Sequence, residues 1–428
     1  MPRSWYYVVA YCMYQLTTTC YSVPYSAITM EISEDSIERD SATAWRMTGE
    51  LLATSLGVVL FGLVLAQLAP EGSSTDAERR VAYFTGSLAV CCFVIVPGYI
   101  TTCCVPERPE YCLQREGDYA ASADRGTQAD APGTSAARGF FGEWFAGLRL
   151  AFKCQAYLVL MLCFLCSALT FQLTSNNLNL YLRHTLDLAD QFQIIVSYHF
   201  WPLNAAFCLT LAAFGCTVQL NCCFRRCTVL GTQTLVVLGS SFCFILLMYM
   251  LHRYWGWEKH RCYQLGLILW FPITVSFYFA PLAVDAPWLI YLVAGGAGVG
   301  TGTVFLLPAM MLPDAVDDSE LRSGEHHEGL FYAFFVFFNK MGAGLALLGS
   351  NLALEAAGYV TQTEPDVEPE QPAAVGQVLR LLMSAPTSVL VLVAVLGLQW
   401  YPITEESRRS TRAELDVRHA KAKADRQR

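Results

Sequence analysis

The chain has 428 residues, of which 54% are hydrophobic and only 15% charged. A soluble protein carries about 25% charged residues, so the composition excludes an ordinary water-soluble enzyme or nucleic-acid-binding module. The net charge of −8 is divided among separated loops and by itself names no partner.

The apolar residues collect in runs of about 20, the length that spans a hydrocarbon core. They are too long and too continuous for barrel strands of about 10 alternating residues. The expected fold class is therefore all-α, a polytopic helical membrane protein. Spans are expected at 5–30, 48–69, 83–105, 155–181, 192–220, 228–251, 262–281, 286–311, 329–357 and 377–400. The first begins close behind Met1 and, at about 25 residues, is too long for a signal-peptide core. No cleavable leader is expected. Most of the 17 cysteines fall inside spans, where the residue behaves as a small apolar side chain.

In chain order, the first polar constellation is 38–50, Glu-Arg-Asp-Ser-Ala-Thr-Ala-Trp-Arg-Met-Thr-Gly-Glu. Asp40 or Ser41 is placed to cap a helix, because short oxygen side chains accept from free N–H groups. Arg46 and Glu50 stand four apart on one helical face and enter the membrane together. They read either as a charge-paired substrate or gating site or as an interfacial ion pair of little energy. The stretch 107–139, rich in Ala, Ser, Gly, Asp and Arg, reads as a flexible linker. The aromatic and charged residues of 140–153 suggest a short interfacial helix or simply the wet start of the next span.

Span 155–181 ends in Gln172, Thr174, Ser175, Asn176, Asn177 and Asn179. Unsatisfied polar groups in lipid cost several kcal/mol each, so these side chains should face a cavity or a partner helix, unless they mark a wet outer end. The glycines of 295–302 superficially match nucleotide-loop patterns, but no strand precedes them and no Walker lysine follows. Small residues four apart fit close helix packing instead. Leu312-Pro313-Asp314-Ala315-Val316-Asp317-Asp318 ends span 286–311. Its carboxylates are either latches to basic residues of neighbouring segments or a solvated turn.

Lys340 lies near the middle of the apolar run 330–348. An ammonium there costs about 2.5–3.5 kcal/mol on insertion scales. It calls for water, a partner or an anionic ligand, unless the stem snorkels its head to an interface. The tail from Arg408 holds eight Lys/Arg against three acids, so the positive-inside rule puts it in the cytoplasm. The loop 359–376, with four acids and no Lys/Arg, suits the outside. Working back, Arg253, Lys259 and Arg261 fall inside, as does the 106–153 linker. Between the two lie three candidate spans where parity demands an even number, so an insertion within about 195–250 is expected. No metal-ligand cluster, catalytic triad or nucleic-acid signature is found.

Val23-Pro24-Tyr25-Ser26-Ala27-Ile28-Thr29-Met30, the segment 38–47, the segment 312–318 and Phe334-Phe335-Val336-Phe337-Phe338-Asn339-Lys340 together resemble the major facilitator superfamily. The likeness is to the branch of sodium-dependent lysophosphatidylcholine symporters, sphingosine-1-phosphate transporters and melibiose-type sugar–cation symporters. It covers most of the chain outside 195–250, and residues 358–359 and 401–403 fit it as well.

The resemblance implies twelve helices in two bundles, with a substrate cavity that works by alternating access. Span 5–30 then matches the fourth family helix. The chain would be an N-terminally incomplete facilitator fold, with about nine family helices and one extra hydrophobic segment. Its expected parts are a partial bundle at 1–105, a cytoplasmic linker at 106–153, a second bundle at 154–402 and a basic tail at 403–428. The family's sodium-coordinating acids lie on its second helix, outside this chain, and Ser175 stands where the lysolipid symporters carry an acid. Loops 70–82 and 359–376 hold no cysteine for the family's extracellular disulfide.

On this reading the protein is a transporter, not an enzyme. It carries lysophospholipids or related lipid phosphates, and coupling to sodium is left open. The expected substrate-binding residues are Lys340, Arg46, Glu50, Tyr25, Asn176 and Asn177. The expected gating residues are Asp314, Asp317, Asp318, Arg39 and Asp40. No cofactor, metal or nucleic acid is expected, and the protein is expected to be a monomer in the plasma membrane or an endomembrane. A sugar–cation symporter and a non-transporting membrane protein are the alternatives.

Overall fold

A computed structural model describes residues 2–31, 36–68, 76–104, 149, 152–185, 228–279, 287–323, 328–360 and 371–426. Among them the regular structure is helical throughout, in agreement with the all-α expectation. The helices are α1 (Pro2–Glu31), α2 (Ser36–Leu68), α3 (Asp76–Cys104), α4 (Gln155–His184), α5 (Thr228–Trp255), α6 (Lys259–Phe279), α7 (Pro287–Ser323), α8 (Glu328–Ala356), α9 (Ala373–Gly397) and α10 (Glu405–Arg426).

The helices α1 to α9 fall on the expected spans other than 192–220. That span lies outside the described residues, as do the 107–139 linker and most of 140–153. Among the described residues, Gln155–Leu178, Lys259–Phe279, Gly296–Arg322, Gly329–Ala356 and Ala373–Trp400 are long and apolar enough to cross a bilayer.

Two units pack separately. The first comprises Met1–Ala53, Leu150–Cys216 and Thr228–Arg428, and the second Thr54–Arg149 and Thr217–Cys227. In the first, α4 is the central helix, packing on α7, α8 and α9. Its buried seam runs Ala156, Leu160, Cys163, Ser167, Thr170, Thr174, Asn177 and Tyr181, the alternating three- and four-residue spacing of a helix that keeps one face against its neighbours. The polar members of that seam are internally satisfied. Ser167 shares a hydrogen bond with the Tyr263 hydroxyl at 2.7 Å, and Thr170 and Thr174 donate to the carbonyls of Cys166 and Thr170.

Helix α6 packs on α7 and α9, α5 on α7, α1 on α8, and α10 on α7. The α6–α7 contact depends on the small residues the sequence placed four apart. A Cβ at Gly296 would lie 2.0 Å from Ile273 Cδ1, and one at Gly300 2.1 Å from Trp270 Cε2. Trp270 is only 1% exposed and has no room to swing aside. Gly300→Ala is therefore expected to destabilise the unit by about 1–3 kcal/mol through overpacking, read as a lowered thermal midpoint of the detergent-solubilised protein. In the second unit, α2 meets α3 in the same manner: a Cβ at Gly86 would lie 2.9 Å from the Phe61 ring, whose centroid is 6.1 Å from that of Tyr83.

Three local expectations change. Helix α2 begins at Ser36, a turn before Asp40, so Asp40 is not a cap; its carboxylate is taken by side chains of other helices. Helix α7 runs through Pro308 and Pro313 to Ser323, so 312–318 is neither a helix end nor a solvated turn. The basic tail, for which the sequence suggested no element, forms helix α10.

Candidate functional site

A charged cluster gathers at one end of the first unit. It begins with the turn after α5. Gly256 takes φ 65°, which glycine adopts without steric cost, and the Trp257 N–H returns to the Leu251 carbonyl at 3.3 Å. This turn delivers Lys259 at the first position of α6. Its Nζ donates to Asp40 Oδ1 at 2.7 Å, to Asp314 Oδ2 at 2.8 Å and to the Met310 carbonyl at 3.0 Å. All three ammonium protons are thereby used, as burial of a charge demands.

Arg408 of α10 donates to Asp40 Oδ2 at 3.3 Å and to Glu405, and lies 3.9 Å from Asp314 Oδ1. His252 of α5 lies between Asp40 and the Trp257 carbonyl. Beside them Arg39 donates to Asp317 at 2.7 Å. Asp318 takes Arg322 at 3.0 Å and the Cys154 thiol at 3.8 Å.

Burial raises the Asp40 carboxyl, but Lys259 and His252 outweigh it and hold it at about 2, below the ordinary 3.8. A folded-state value below the unfolded one means the carboxylate's stabilising contribution is present above about pH 4 and is lost as the pH falls toward 2. Burial lowers the Arg408 guanidinium, yet Asp314, Glu405 and Asp40 raise it further, above its usual value. The cluster thus joins α2, α6, α7 and α10 through acidic and basic side chains, with the His252 ring of α5 set against Asp40.

All five expected gating residues, Arg39, Asp40, Asp314, Asp317 and Asp318, meet here. Lys259, His252 and Arg408 were missed. A lysine beside Glu258 and Arg261 reads as one more loop charge, and an arginine opening a basic tail reads as solvated.

The expected substrate residues do not form one cluster. Lys340 is at mid-length of α8 on its exposed side, and its Nζ donates to Gln15 Oε1 of α1 at 3.0 Å. Arg46 donates to the Tyr332 hydroxyl at 3.0 Å. Tyr332 precedes Lys340 by eight residues, or about 12 Å along α8. Glu50, one turn beyond Arg46 on α2, is exposed within the unit. Tyr25 is 42% exposed on α1 and stacks on Tyr21.

Asn177 faces the partner helix: it donates to the Leu173 carbonyl at 2.8 Å and accepts from Ser350 Oγ of α8 at 2.5 Å. Its neighbour Asn176 is exposed. Among the described residues no group of His, Cys, Asp and Glu is arranged to hold a metal ion.

Residues 2–214 and 203–405 match the family model described as MFS/sugar transport protein. The chain is 31% identical over 431 residues to the sodium-dependent lysophosphatidylcholine symporter 1 of Gallus gallus, covering 96% of this chain and 69% of that protein. Its identity to the Homo sapiens symporter of the same name is 28%, over 97% of this chain and 67% of that protein. To the sphingosine-1-phosphate transporter MFSD2B of Xenopus tropicalis it is 27%, over 97% and 71%.

Proposed function

We propose, from the premise that this chain belongs to the MFS/sugar transport protein family of membrane transporters, that it carries lysophospholipids or related lipid phosphates by alternating access. The observation that carries the reading is Lys340. It is a cation at mid-length of an apolar helix, on its exposed side, met by a neutral amide from α1. Such a charge is retained in a membrane when an anionic or polar group uses it. The relatives' names supply a fitting one, the phosphate of lysophosphatidylcholine or of sphingosine-1-phosphate.

In this reading Lys340 is the point-charge donor to the headgroup phosphate. Arg46 and Glu50 line the route between Lys340 and the charged end, with Tyr25, Asn176 and Asn177 contributing polar and aromatic contacts. Arg39–Asp317, and Asp40 and Asp314 through Lys259, form the gate, closed in the present arrangement, with Asp318 at its edge. The gate end faces the cytoplasm with the basic α10, and the protein acts as a monomer in the plasma membrane or an endomembrane. Cation coupling belongs to the proposal as well.

Uptake of radiolabelled lysophosphatidylcholine by cells expressing the chain tests the reading. Uptake above untransfected cells, competed by unlabelled lysolipid but not by melibiose and reduced when choline replaces sodium, is the expected result. Competition by the sugar alone, or absence of flux in correctly inserted protein, overturns it.

A further inference from the structure

His252 has an acceptor at each ring nitrogen. Nδ1 lies 2.8 Å from the Trp257 carbonyl, and Nε2 lies 3.3 Å from Asp40 Oδ2. A backbone carbonyl and an ionised carboxylate are acceptors only, and a neutral imidazole has a single N–H. The neutral ring therefore satisfies one contact and turns a lone pair toward the other oxygen. Only the doubly protonated ring donates to both. Asp40 keeps no proton to lend, since its carboxyl is held at about 2.

The charges around the ring point the same way. Asp40, Asp314 and Glu405 are bonded within the cluster to two permanent cations, Lys259 and Arg408. A protonated His252 adds a positive charge beside Asp40, next to those of Lys259 and Arg408. Other charged groups of the packed elements are paired among themselves: Arg39 with Asp317, Arg322 with Asp318, and Glu258 with Arg261 and His260. Arg253, next to His252 on α5, is exposed.

We propose that His252 is a proton-binding site that fastens the α5–α6 turn to α2 when occupied and loosens that fastening when empty. The proton joins three separate pieces: the end of α5 that bears the ring, the turn through the Trp257 carbonyl, and α2 through Asp40. Lys259 holds Asp40 regardless, so deprotonation loosens the charged end without dismantling it. Lowering the pH from about 8 to about 5.5, which favours the doubly protonated ring, then favours the closed arrangement. The inference does not depend on which solute is carried.

Cys154 reports on this end without a transport assay. It is 4% exposed and its thiol abuts Ala315 and Asp318. Membranes bearing the full chain are treated with iodoacetamide at both pH values, and alkylation of the Cys154 peptide is followed by mass spectrometry. Each rate is divided by that of the same cysteine in detergent-denatured chain at the same pH, which removes the thiolate fraction. The wild type is expected to be protected roughly tenfold more at the lower pH, and His252→Gln to lose that difference. Should His252→Gln fail to insert, the wild-type profile still decides, since equal or reversed protection at the two pH values overturns the proposal. A pH response retained in a correctly inserted His252→Gln also overturns it, by placing the proton on another group.

Discussion

Lys259→Ala is expected to destabilise the first unit by about 3–5 kcal/mol, because it strands Asp40 and Asp314 in a buried site with a lost counter-charge. The magnitude follows from how completely the ammonium is used. Its three donors go to two carboxylates and one main-chain carbonyl, and water is not available to replace them all. Arg408 remains as partial compensation, but at 3.3 Å from Asp40 and 3.9 Å from Asp314 it is the weaker partner. The check is a thermal or denaturant midpoint of detergent-solubilised protein. It is combined with a cycle in which Lys259→Ala is repeated on an Asp40→Asn, Asp314→Asn background. There the loss should shrink to about 1 kcal/mol, since no carboxylate is left unpaired. Equal losses on both backgrounds would mean that the lysine acts through its packing and not its charge.

This cluster shows where sequence reasoning reaches and where it stops. The helices were legible because the bilayer imposes a length of about 20 apolar residues on each span, and Gly296 and Gly300 were legible as a packing face because only small residues admit such close approach. The carboxylates of 312–318 stood out because acids at the end of an apolar run are unusual. Their partners did not stand out, because pairing is a tertiary fact. Lys259 and His252 are nearly contiguous in sequence, but their shared partner Asp40 is more than 200 positions earlier and Arg408 more than 140 later.

Local rules also misplaced residues where the tertiary contact won. Asp40 has the chemistry of a helix cap, yet two cations and the His252 ring compete for its oxygens. The segment 312–318 reads as the end of an apolar span, yet α7 continues through Pro308 and Pro313 with Asp314 held by Lys259. Asn176 and Asn177 were indistinguishable as neighbours. The helical rotation of about 100° per residue buries one against Ser350 and leaves the other exposed.

Lys340→Ala is expected to lower kcat/KM for lysolipid uptake by about 10- to 100-fold, the loss of one charge-assisted contact worth about 1.5–3 kcal/mol, while leaving insertion and the thermal midpoint near wild type. Stability should not follow the charge, because its one described partner is the neutral, half-buried amide of Gln15, which gains little from an ammonium beside it. Lys340→Arg separates a charge requirement from a geometric one. The guanidinium keeps the positive charge but presents a planar fork, so partial recovery marks electrostatic recognition of a phosphate, and no recovery marks a pocket shaped for a compact ammonium. Gln15→Ala removes the group that holds the lysine to α1 and should raise KM by a few-fold with little change in kcat, because it frees the side chain without removing its charge. If Lys340→Ala takes up lysolipid as well as the wild type, the lysine is an interfacial residue whose head reaches polar surroundings along an apolar stem. The phosphate would then have to be bound by another cation, with Arg46, which donates to the Tyr332 hydroxyl, next in line.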